Sequence, residues 1–445
     1  MAEAPVREMS TEEALAAARR LAARVPDAAK APSHLRAKVL AGVAERLKAE
    51  REVFAALICE EVGKPIKEAR REVDRAAFTF AWAAGEAPRW GGEWLPLDFD
   101  ASTEGRMAFV RRAPRGACLF ICPFNFPLNL VAHKVAPAIA VGAPFFLKPA
   151  PQAPKTAAKL AQAILDAGWP KDWFVAAPCS NETAEALAKD ASFRVLSFTG
   201  SAKVGWHLKA VCGEKHAVLE LGGNAAVVVA ADADLPWAAA RSAWGAFYYS
   251  GQVCISVQRV MVEEAVYDKF KDLFLKNARE LVAGDPKDEK TDVAPLIDQR
   301  AAERVDAWIQ EAAAGGGKVL LGGPRKDCFV PATIVENPPK ACKLTCEEAF
   351  GPVVTLEKVP DVETALASIA AGQYGLQAGL FTKDLGSVLS AWADVPVGGL
   401  IVNDIPSFRS DAMPYGGSKG SGIGREGVRW AMEEFTEPRT LVVKA

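Results

Sequence analysis

From residue 10 to about residue 90, apolar positions recur three and four residues apart, which is the period of an amphipathic helix. The stretch STEEALAAARRLAARV begins with Ser10, three residues before Glu13, and this spacing is typical of a helix capping box. Further helical stretches follow until Gly63 and Pro65 interrupt them. The N-terminal part of the chain is therefore predicted to be helical.

The pattern changes at about residue 106, where short apolar runs begin to alternate with helical stretches. The runs are apolar at successive positions, so they predict strands that are buried on both faces of a parallel sheet. In chain order the predicted elements are RMAFVRR, ACLFIC, helix 127–140, APFFLKP, helix 154–167, WFVAA, helix 181–189, FRVLSF, helix 202–212, AVLEL and AAVVVA. This half resembles a doubly wound nucleotide-binding sheet.

A second alternating series follows and predicts another α/β domain. Its elements are QRVMVEE, helix 265–282, helix 297–313, GKVLLGG, TIVEN, GPVVTLEKV, helix 361–370, AGLFT, helix 384–394 and GGLIVND. The Gly/Pro-rich linkers between these elements are too short for a disordered tether. The predicted fold class is α/β, with a parallel nucleotide-binding sheet followed by a second α/β domain.

Length and charge narrow the classes of function. At 445 residues the chain exceeds what one hydrophobic core normally serves, so two large domains are expected. The formal charge of −2 creates no field that would attract nucleic acid or anionic lipid. The N-terminus has no apolar signal region, and no apolar run reaches the roughly 18 residues of a membrane span. We expect no nucleic-acid partner, no membrane insertion and a cytoplasmic location.

The nine cysteines are scattered along the chain. Two pairs have a CxxxC spacing, but no histidine lies near either pair in sequence. We therefore expect no metal site, and thiols that are mostly reduced and buried.

The segment VLSFTGSAKVG predicts a strand, a glycine turn and the start of a helix. Glycines at 200 and 205 would let the backbone approach a phosphate, and the N-terminus of a helix offers free N–H donors. The spacing matches neither the GxGxxG motif nor a P-loop. At this point a nucleotide site and a plain strand–helix turn are equally open interpretations.

An acid stands inside the apolar strand of HAVLELGGNAAVVV. Glu220 is flanked by leucines and followed by two glycines. An unpaired buried carboxylate is costly, and its burial raises its pKa toward that of a useful general base. The alternative is a structural carboxylate paired with a lysine or arginine.

Two further side chains are candidates for the same chemistry. In CPFNFPLNL, two prolines stiffen the loop around Asn125, so its amide is either a fixed donor or a cap for the next helix. In YYSGQVCISVQRV, Cys254 follows a predicted helix end and turn, and is either a reactive thiol or a small buried apolar residue. A thiol, a carboxylate, a fixed amide and a nucleotide site together suit oxidation of an aldehyde through a thioester.

The chain resembles the aldehyde dehydrogenase superfamily from about residue 10 to its end. The motifs that carry the resemblance are, in order, PFNFPLNL, LKPAPQAP, FTGSAKVG, LELGGNAAVVV, GQVCISVQR, EEAFGPVV and MPYGGSKGSGIGREG. The resemblance implies a Rossmann-like cofactor domain, an α/β catalytic domain and a small antiparallel oligomerisation hairpin. It also implies NAD(P)-dependent, non-acylating oxidation of an aldehyde to a carboxylic acid through a cysteine thiohemiacetal and thioester.

The resemblance implies catalytic roles for five residues. Cys254 is similar to the family's nucleophile and Glu220 to its general base. Asn125, together with the Cys254 backbone N–H, matches the oxyanion donors. Lys134 and Glu426 match positions proposed in the family to relay protons from Glu220 to solvent.

A larger set of positions is implied to bind the cofactor. Lys148 and Glu348 resemble a ribose-binding pair, and Pro151 replaces a Glu found in many NAD-preferring relatives, which leaves the cofactor open between NAD and NADP. The full set is Ile121, Cys122, Pro123, Phe124, Lys148, Pro151, Phe198, Thr199, Gly200, Ser201, Val204, Gly205, Leu221, Gly222, Glu348 and Phe350.

The substrate pocket is inferred from the same resemblance. Val253 replaces an Arg that relatives acting on phosphorylated aldehydes often carry, although Arg409 is placed to meet an anion at the pocket mouth. Polar residues stand at 129 and 133, where relatives for bulky apolar aldehydes carry hydrophobic ones, which favours a small or hydroxylated aldehyde such as lactaldehyde. The inferred pocket residues are Asn129, His133, Tyr248, Val253, Ile255, Phe408 and Arg409.

The domain boundaries follow from the same comparison. The cofactor domain is expected to comprise residues 1–104 and 117–222 with a helix at 423–433, and the catalytic domain residues 223–422. Residues 105–116, as a hairpin, and 434–445 are expected to join subunits into a homodimer or homotetramer. The terminal RTLVVKA alternates too poorly for a half-solvated strand, so its apolar residues are expected to need a partner chain.

Two other functions are compatible with the fold that the resemblance implies. A CoA-acylating dehydrogenase transfers the acyl group to CoA and generally lacks the base, so Glu220 argues against it. A catalytically idle structural member of the family would have no need of Cys254, Glu220 and Asn125 together.

Overall fold

The computed structural model describes residues 7–444. Ser10 caps the first helix with the predicted capping box, in which its Oγ accepts the Glu13 N–H and the Glu13 carboxylate accepts the Ser10 N–H. The helices are α1 (Thr11–Ala28), α2 (Ser33–Ala49), α3 (Arg51–Val62), α4 (Ile66–Glu86), α5 (Asn129–Val141), α6 (Pro154–Asp166), α7 (Asn181–Lys189), α8 (Ala202–Val211), α9 (Leu235–Phe247), α10 (Tyr267–Arg279), α11 (Gln299–Ala314), α12 (Lys343–Cys346), α13 (Val362–Ala371), α14 (Leu385–Asp394) and α15 (Val428–Glu434).

The strands fall into three main sheets and one two-stranded ribbon. They are β1 (Gly92–Pro96), β2 (Arg106–Pro114), β3 (Ala117–Ile121), β4 (Phe145–Lys148), β5 (Phe174–Ala176), β6 (Phe193–Thr199), β7 (His216–Glu220), β8 (Ala226–Val229), β9 (Arg259–Glu263), β10 (Lys318–Leu321), β11 (Thr333–Glu336), β12 (Val353–Val359), β13 (Tyr374–Gly375), β14 (Gln377–Phe381), β15 (Gly399–Val402), β16 (Ser418–Lys419), β17 (Gly422–Ile423) and β18 (Thr436–Lys444). The fold is α/β with parallel sheets and a small antiparallel sheet, as the sequence predicts.

The first sheet has the order β17-β7-β6-β3-β4-β5. Its strands are parallel except for the edge pair β17–β7. The chain runs outward from β3 to β5 and then returns to β6 on the opposite side of β3. The strand order therefore reverses between β3 and β6, and α/β sheets bind ligands in the crevice beyond the carboxyl ends of the strands at such a point.

The second sheet has the order β10-β11-β12-β9-β8-β14-β15 and is parallel except for β10–β11. The strands β8 and β14 are buried along their length, and their sequences are apolar except for Gln377. The run AAVVVA, which the sequence pattern places at the end of the first series, belongs to this sheet as β8. It pairs with β9 and β14. The second sheet therefore begins earlier in the sequence than the pattern predicts.

The third sheet, β1-β2-β18, is antiparallel. The expected hairpin at residues 105–116 is wrong in extent, because those residues form only the central strand β2. The hairpin partner is β1, whose GEWLP sequence carries a glycine and a proline and gave no strand signal. Strand β18 covers the other edge of β2, and its side chains at Leu441, Val442 and Val443 are 62%, 54% and 38% exposed.

The helix expected at residues 423–433 begins later, at Val428. Gly424 and Gly427 have φ values of 78° and 95°, which a right-handed helix cannot include. Residues 422–423 instead form the edge strand β17 against β7. This pairing brings the C-terminal part of the chain next to Glu220, because Gly422 lies opposite Glu220 in the ladder.

Candidate active site

A cavity of about 510 Å³ opens at the carboxyl ends of β3, β6 and β7. The loops that follow these strands supply one wall, and residues from the second sheet's half of the chain supply the other. The lining residues are Pro123, Phe124, Asn125, Leu130, Thr199, Gly200, Ser201, Ala202, Lys203, Glu220, Leu221, Gly222, Cys254, Arg304, Glu347, Glu348, Phe350 and Tyr374. Cys254, Glu220 and Asn125, from three distant segments, therefore meet at one cavity.

A strained turn carries Cys254 into the cavity. After α9 the chain makes a tight turn in which Tyr249 and Ser250 have φ values of 48° and 55°. Ser250 Oγ holds this turn by donating to Ala294 O at 2.6 Å and accepting the Ala294 N–H at 2.9 Å. Positive φ at a non-glycine residue costs of order 1–3 kcal/mol and clusters at functional sites.

The Cys254 sulfur is half-buried and has a polar neighbour. Its Sγ lies 3.0 Å from the hydroxyl oxygen of Tyr415. Burial raises the pKa of the Cys254 thiol to about 12, while the contact with Tyr415 acts in the opposite direction. The free thiol therefore keeps its proton at neutral pH, and it must lose that proton before the sulfur can attack.

Glu220 is the last residue of β7 and is only 2% exposed. Within residues 7–444, neither of its carboxylate oxygens has a hydrogen-bond partner. Burial raises the pKa of Glu220 well above the ordinary value, and the nearby Glu426 carboxylate adds to this effect. A side chain at residue 416 would come within 2.8 Å of Glu220 Oε1, so Gly416 leaves the space that this carboxylate occupies. The alternative of a directly ion-paired structural carboxylate does not describe Glu220.

Asn125 ties its loop to the loop of Cys254. Its Nδ2 donates to Gln252 O at 3.0 Å, two residues before the cysteine. The side chain is buried, and an amide nitrogen has two hydrogens, so one remains to donate into the cavity. The amide is aimed by this bond, as expected for a fixed donor.

A buried ion pair lies beneath these loops. Lys64 Nζ pairs with the Glu72 carboxylate, and both side chains are fully buried. Glu72 Oε1 also accepts the N–H groups of Leu128 and Asn129, at 2.8 and 3.1 Å, which fixes the end of the Asn125 loop.

The same cation contacts an aromatic ring from each loop. Lys64 Nζ lies 3.7 Å from the ring centroid of Phe126 and 4.5 Å from that of Tyr249. Phe126 follows Asn125, and Tyr249 belongs to the turn before Cys254. Lys64 therefore joins the two segments that carry the amide and the thiol.

We expect Lys64→Met to lower the free energy of unfolding by about 3–5 kcal/mol, because it leaves the Glu72 carboxylate buried without its counter-ion. Urea-induced unfolding of the full chain measures this loss. The double variant Lys64→Met/Glu72→Gln is the control, and it should lose less because it leaves no charge unpaired. Equal losses in the two variants would contradict an ion-pair origin.

A second charged cluster lies behind Glu220. Lys134 Nζ contacts Glu426 Oε1 at 3.0 Å and Ser197 Oγ at 2.8 Å, and Arg409 Nη2 contacts Glu426 Oε2 at 3.1 Å. The lysine and arginine outweigh the effect of burial and hold the pKa of Glu426 at about 2. The two predicted relay residues thus form a direct ion pair, and Arg409 completes it.

The predicted cofactor residues are only partly brought together. Nine of them line the cavity, and seven do not: Ile121, Cys122, Lys148, Pro151, Phe198, Val204 and Gly205. Glu348 accepts the Gly223 N–H at 3.1 Å, and burial raises the pKa of its carboxyl to about 7. Lys148 is the last residue of β4, and burial lowers its pKa.

The walls of the cavity have features that suit a nucleotide. The Thr199 Oγ1 is buried and has no hydrogen-bond partner within residues 7–444. A Cβ at the lining residues Gly200 or Gly222 would approach Phe198 or Glu348 to 2.5 or 2.2 Å respectively. The ten-residue helix α8 begins just after Ser201 at the cavity wall, where its free N–H groups favour an anion.

The predicted substrate residues do not line this cavity. Asn129 Nδ2 donates to Asp411 Oδ1 at 3.2 Å, and His133 Nε2 lies 2.8 Å from the same oxygen. Arg75 binds the Asp411 carboxylate with two nitrogens, at 2.7 and 3.0 Å. The two polar residues expected to face a hydroxylated substrate are therefore engaged by Asp411.

The other predicted substrate residues surround the nucleophile loop. Val253 and Ile255 are buried on either side of Cys254, and Tyr248 stacks on Trp244 with ring centroids 4.3 Å apart. Phe408 is 46% exposed. Asp411 and Arg75 were missed by sequence reasoning, because they are single polar positions in a loop and a helix without a recognisable spacing. Tyr415 stands in the motif MPYGGSKGSGIGREG, but the motif alone assigned it no role.

The described residues were also compared with the requirements of a metal site and of a membrane-spanning helix. Within residues 7–444, no group of three or more His, Cys, Asp or Glu side chains is arranged to hold a metal ion. No helix in the same range is both long and apolar enough to cross a bilayer.

The sequence and the structure are also similar to those of known proteins. The sequence profile of the aldehyde dehydrogenase family matches residues 3–441. A 3-sulfolactaldehyde dehydrogenase of Priestia aryabhattai is 42% identical over 409 residues, which cover 92% of this chain and 86% of that protein. A lactaldehyde dehydrogenase of Methanococcus vannielii is 39% identical over 413 residues, with 92% and 87% covered. The crystal structure of a glyceraldehyde-3-phosphate dehydrogenase of Methanocaldococcus jannaschii complexed with NADP matches with a TM-score of 0.95 and 37% identity, over 99% of this chain and 96% of that one.

Proposed function

Because the chain belongs to the aldehyde dehydrogenase family, and is thereby an aldehyde-oxidising oxidoreductase, we infer that it converts a small aldehyde to its carboxylic acid with NAD or NADP. The observation that carries this proposal is the meeting of Cys254, Glu220 and Asn125 at one cavity. The residues of that cavity supply a nucleophile, a base and an oxyanion donor.

In the proposed reaction the Cys254 thiolate adds to the aldehyde carbon. A C–S bond forms, and the electron pair of the carbonyl π bond moves to oxygen. The free hydrogen of the Asn125 amide and the Cys254 backbone N–H stabilise this oxyanion, and one such donor is typically worth about 10²–10³ in rate. The bond from Asn125 to Gln252 O supports the role, because it fixes the amide before the substrate arrives.

The cofactor fits the wall formed by β6, β7 and α8. A bound NAD or NADP would supply the oxidant, as the acceptor of the hydride whose loss converts the thiohemiacetal to a thioester. Thr199 offers an unpartnered hydroxyl, and Ser201 stands at the start of α8 for the pyrophosphate. Pro151 brings no carboxylate to repel a 2′-phosphate, and a structural neighbour is complexed with NADP, so both cofactors are proposed.

Glu220 completes the reaction as the general base. Its carboxylate takes a proton from water, the water oxygen attacks the thioester carbon, and the C–S bond breaks to release the acid and the thiolate. Its unpartnered oxygens and raised pKa support this role, because a base must be free to accept a proton near neutral pH. We propose that Lys134 and Glu426, which form an ion pair, pass protons onward from Glu220.

The substrate class is proposed as a small hydroxylated aldehyde such as lactaldehyde. The similarity to a lactaldehyde dehydrogenase supports it. A second candidate, an equally small aldehyde with an anionic end, is favoured by one observation: the Arg409 guanidinium lies over the ring of Tyr415, whose hydroxyl touches the Cys254 sulfur. The similarity to a 3-sulfolactaldehyde dehydrogenase agrees with this candidate.

A screen of aldehydes with NAD and with NADP tests the proposal, with NAD(P)H absorbance as the readout. We expect lactaldehyde and 3-sulfolactaldehyde to be oxidised faster than long apolar aldehydes, and the product to be a free acid without added CoA. No NAD(P)H from any aldehyde would contradict the proposed function. A strict requirement for CoA would favour the acylating alternative.

We further propose that the chain works as a homodimer or homotetramer, joined through the β1-β2-β18 sheet. The exposed valines and leucine of β18 support this arrangement, because an apolar strand that faces solvent invites association. The first sheet is proposed as the core of the cofactor domain and the second as that of the catalytic domain.

A further inference from the structure

We propose that Tyr415 is a further catalytic residue, whose hydroxyl donates a hydrogen bond to the Cys254 sulfur and stabilises the attacking thiolate. This inference rests on the proposed role of Cys254 as the nucleophile. The contact is direct, since the Tyr415 oxygen lies 3.0 Å from Sγ. Within residues 7–444, the Tyr415 hydroxyl has no other hydrogen-bond partner, so it is dedicated to the sulfur.

Tyr415 is held through its backbone and through its ring. Its backbone N–H donates to Glu426 O at 3.0 Å, and the Glu426 N–H donates back to Tyr415 O at 2.6 Å. The Arg409 guanidinium lies 3.7 Å from the ring centroid and is itself held by the Glu426 carboxylate. Only 3% of Tyr415 is exposed, so water competes little for the hydroxyl.

The charges decide the direction of the hydrogen bond. Burial raises the pKa of Tyr415 well above its ordinary value, so the phenol keeps its proton. A thiolate has no proton to give and must accept. The positive charge of Arg409 over the ring strengthens the phenol as a donor, because it withdraws electron density from the oxygen.

The interaction acts before the C–S bond forms. The thiol loses its proton to solvent water, the thiolate accepts the Tyr415 O–H, and the sulfur lone pair then forms the bond to carbon. A sulfur bonded to two carbons is only a weak acceptor. Tyr415 therefore stabilises the free thiolate more than the adduct, and its loss is expected to appear in the reactivity of the thiol itself.

The test is alkylation of Cys254 by iodoacetamide at fixed pH, in the full-length protein without aldehyde or cofactor. Peptide mass spectrometry separates Cys254 from the exposed Cys346. Loss of a hydrogen bond to an ion corresponds to a rise of about one to two units in the thiol pKa. The higher nucleophilicity of the more basic thiolate offsets part of this effect, so Tyr415→Phe should slow alkylation by about 3–10-fold.

The matched control is Tyr267→Phe, which removes a buried hydroxyl bonded to Glu336 at 2.9 Å, in the second half of the chain. This variant should alkylate at the wild-type rate. Alkylation of Tyr415→Phe at or above the wild-type rate would overturn the proposal. Slow alkylation in a protein that oxidises no aldehyde would support the Tyr415 contact and reject the proposed function, so the two failures are distinguishable.

Discussion

Cys254→Ala should lower aldehyde oxidation by a factor on the order of 10⁴–10⁶ and leave cofactor binding nearly unchanged. The substitution removes the atom that forms the covalent bond to the substrate, and among the described residues 7–444 no other thiol lines the cavity. Alanine fills most of the space of the cysteine and keeps the backbone N–H. The wall that carries Thr199 and α8 is therefore expected to bind NAD(P) as before.

Steady-state NAD(P)H formation measures the first effect, and fluorescence titration with NAD(P)H measures the second. Cys346→Ala is the matched control, because it removes the exposed thiol outside the cavity and should leave activity intact. Substantial oxidation by the Cys254→Ala protein would refute the nucleophile assignment. Loss of cofactor affinity in the same variant would show that the substitution disturbs the site as a whole.

Glu220→Gln should produce about one equivalent of NAD(P)H per active site in a burst and then nearly stop, because the acyl-enzyme forms but water is not activated. General bases typically contribute about 10²–10⁴ in rate, which sets the expected drop in steady turnover. Glutamine has nearly the same shape as glutamate, so the packing around Gly416 is preserved.

The pH profile of the wild-type protein provides an independent readout of Glu220. The hydrolytic step needs the ionised carboxylate, so its rate should fall as the pH falls through the pKa of Glu220. Burial raises that pKa, so the loss should occur at a higher pH than for an ordinary glutamate. Stopped-flow and steady-state rates measure both effects. An unchanged turnover in Glu220→Gln would mean that another group acts as the base.

Much of the site was predictable because its residues follow strand ends or mark local breaks in pattern. Glu220 interrupts an apolar strand, Asn125 follows β3, and Cys254 follows a helix end. Parallel strands bring their carboxyl ends to one edge, so the first two of these residues had to meet there. The third lies in the other half of the chain, and its position at the cavity depends on packing between the two sheets.

The parts that escaped prediction depend on long-range pairing. Asp411 binds Arg75, Asn129 and His133 from three helix positions far away in sequence, and no local spacing reveals such a cluster. The helix expected at residue 423 begins late, because glycines there adopt positive φ while the chain pairs with β7. The sequence of β1 has little strand character, and β1 forms because its backbone pairs with the edge of β2.

The cluster of Lys134, Arg409 and Glu426 leaves one positive charge unmatched when Glu220 carries a proton, and none when Glu220 is ionised. In the proposed hydrolysis, Glu220 takes a proton from water while the Cys254 sulfur leaves as a thiolate. The negative charge thus moves from Glu220 to the sulfur, and the cluster keeps one unmatched positive charge while the product is still bound. An acid that then loses its own proton is attracted to this charge, so product departure is expected to quicken once Glu220 releases its proton to solvent.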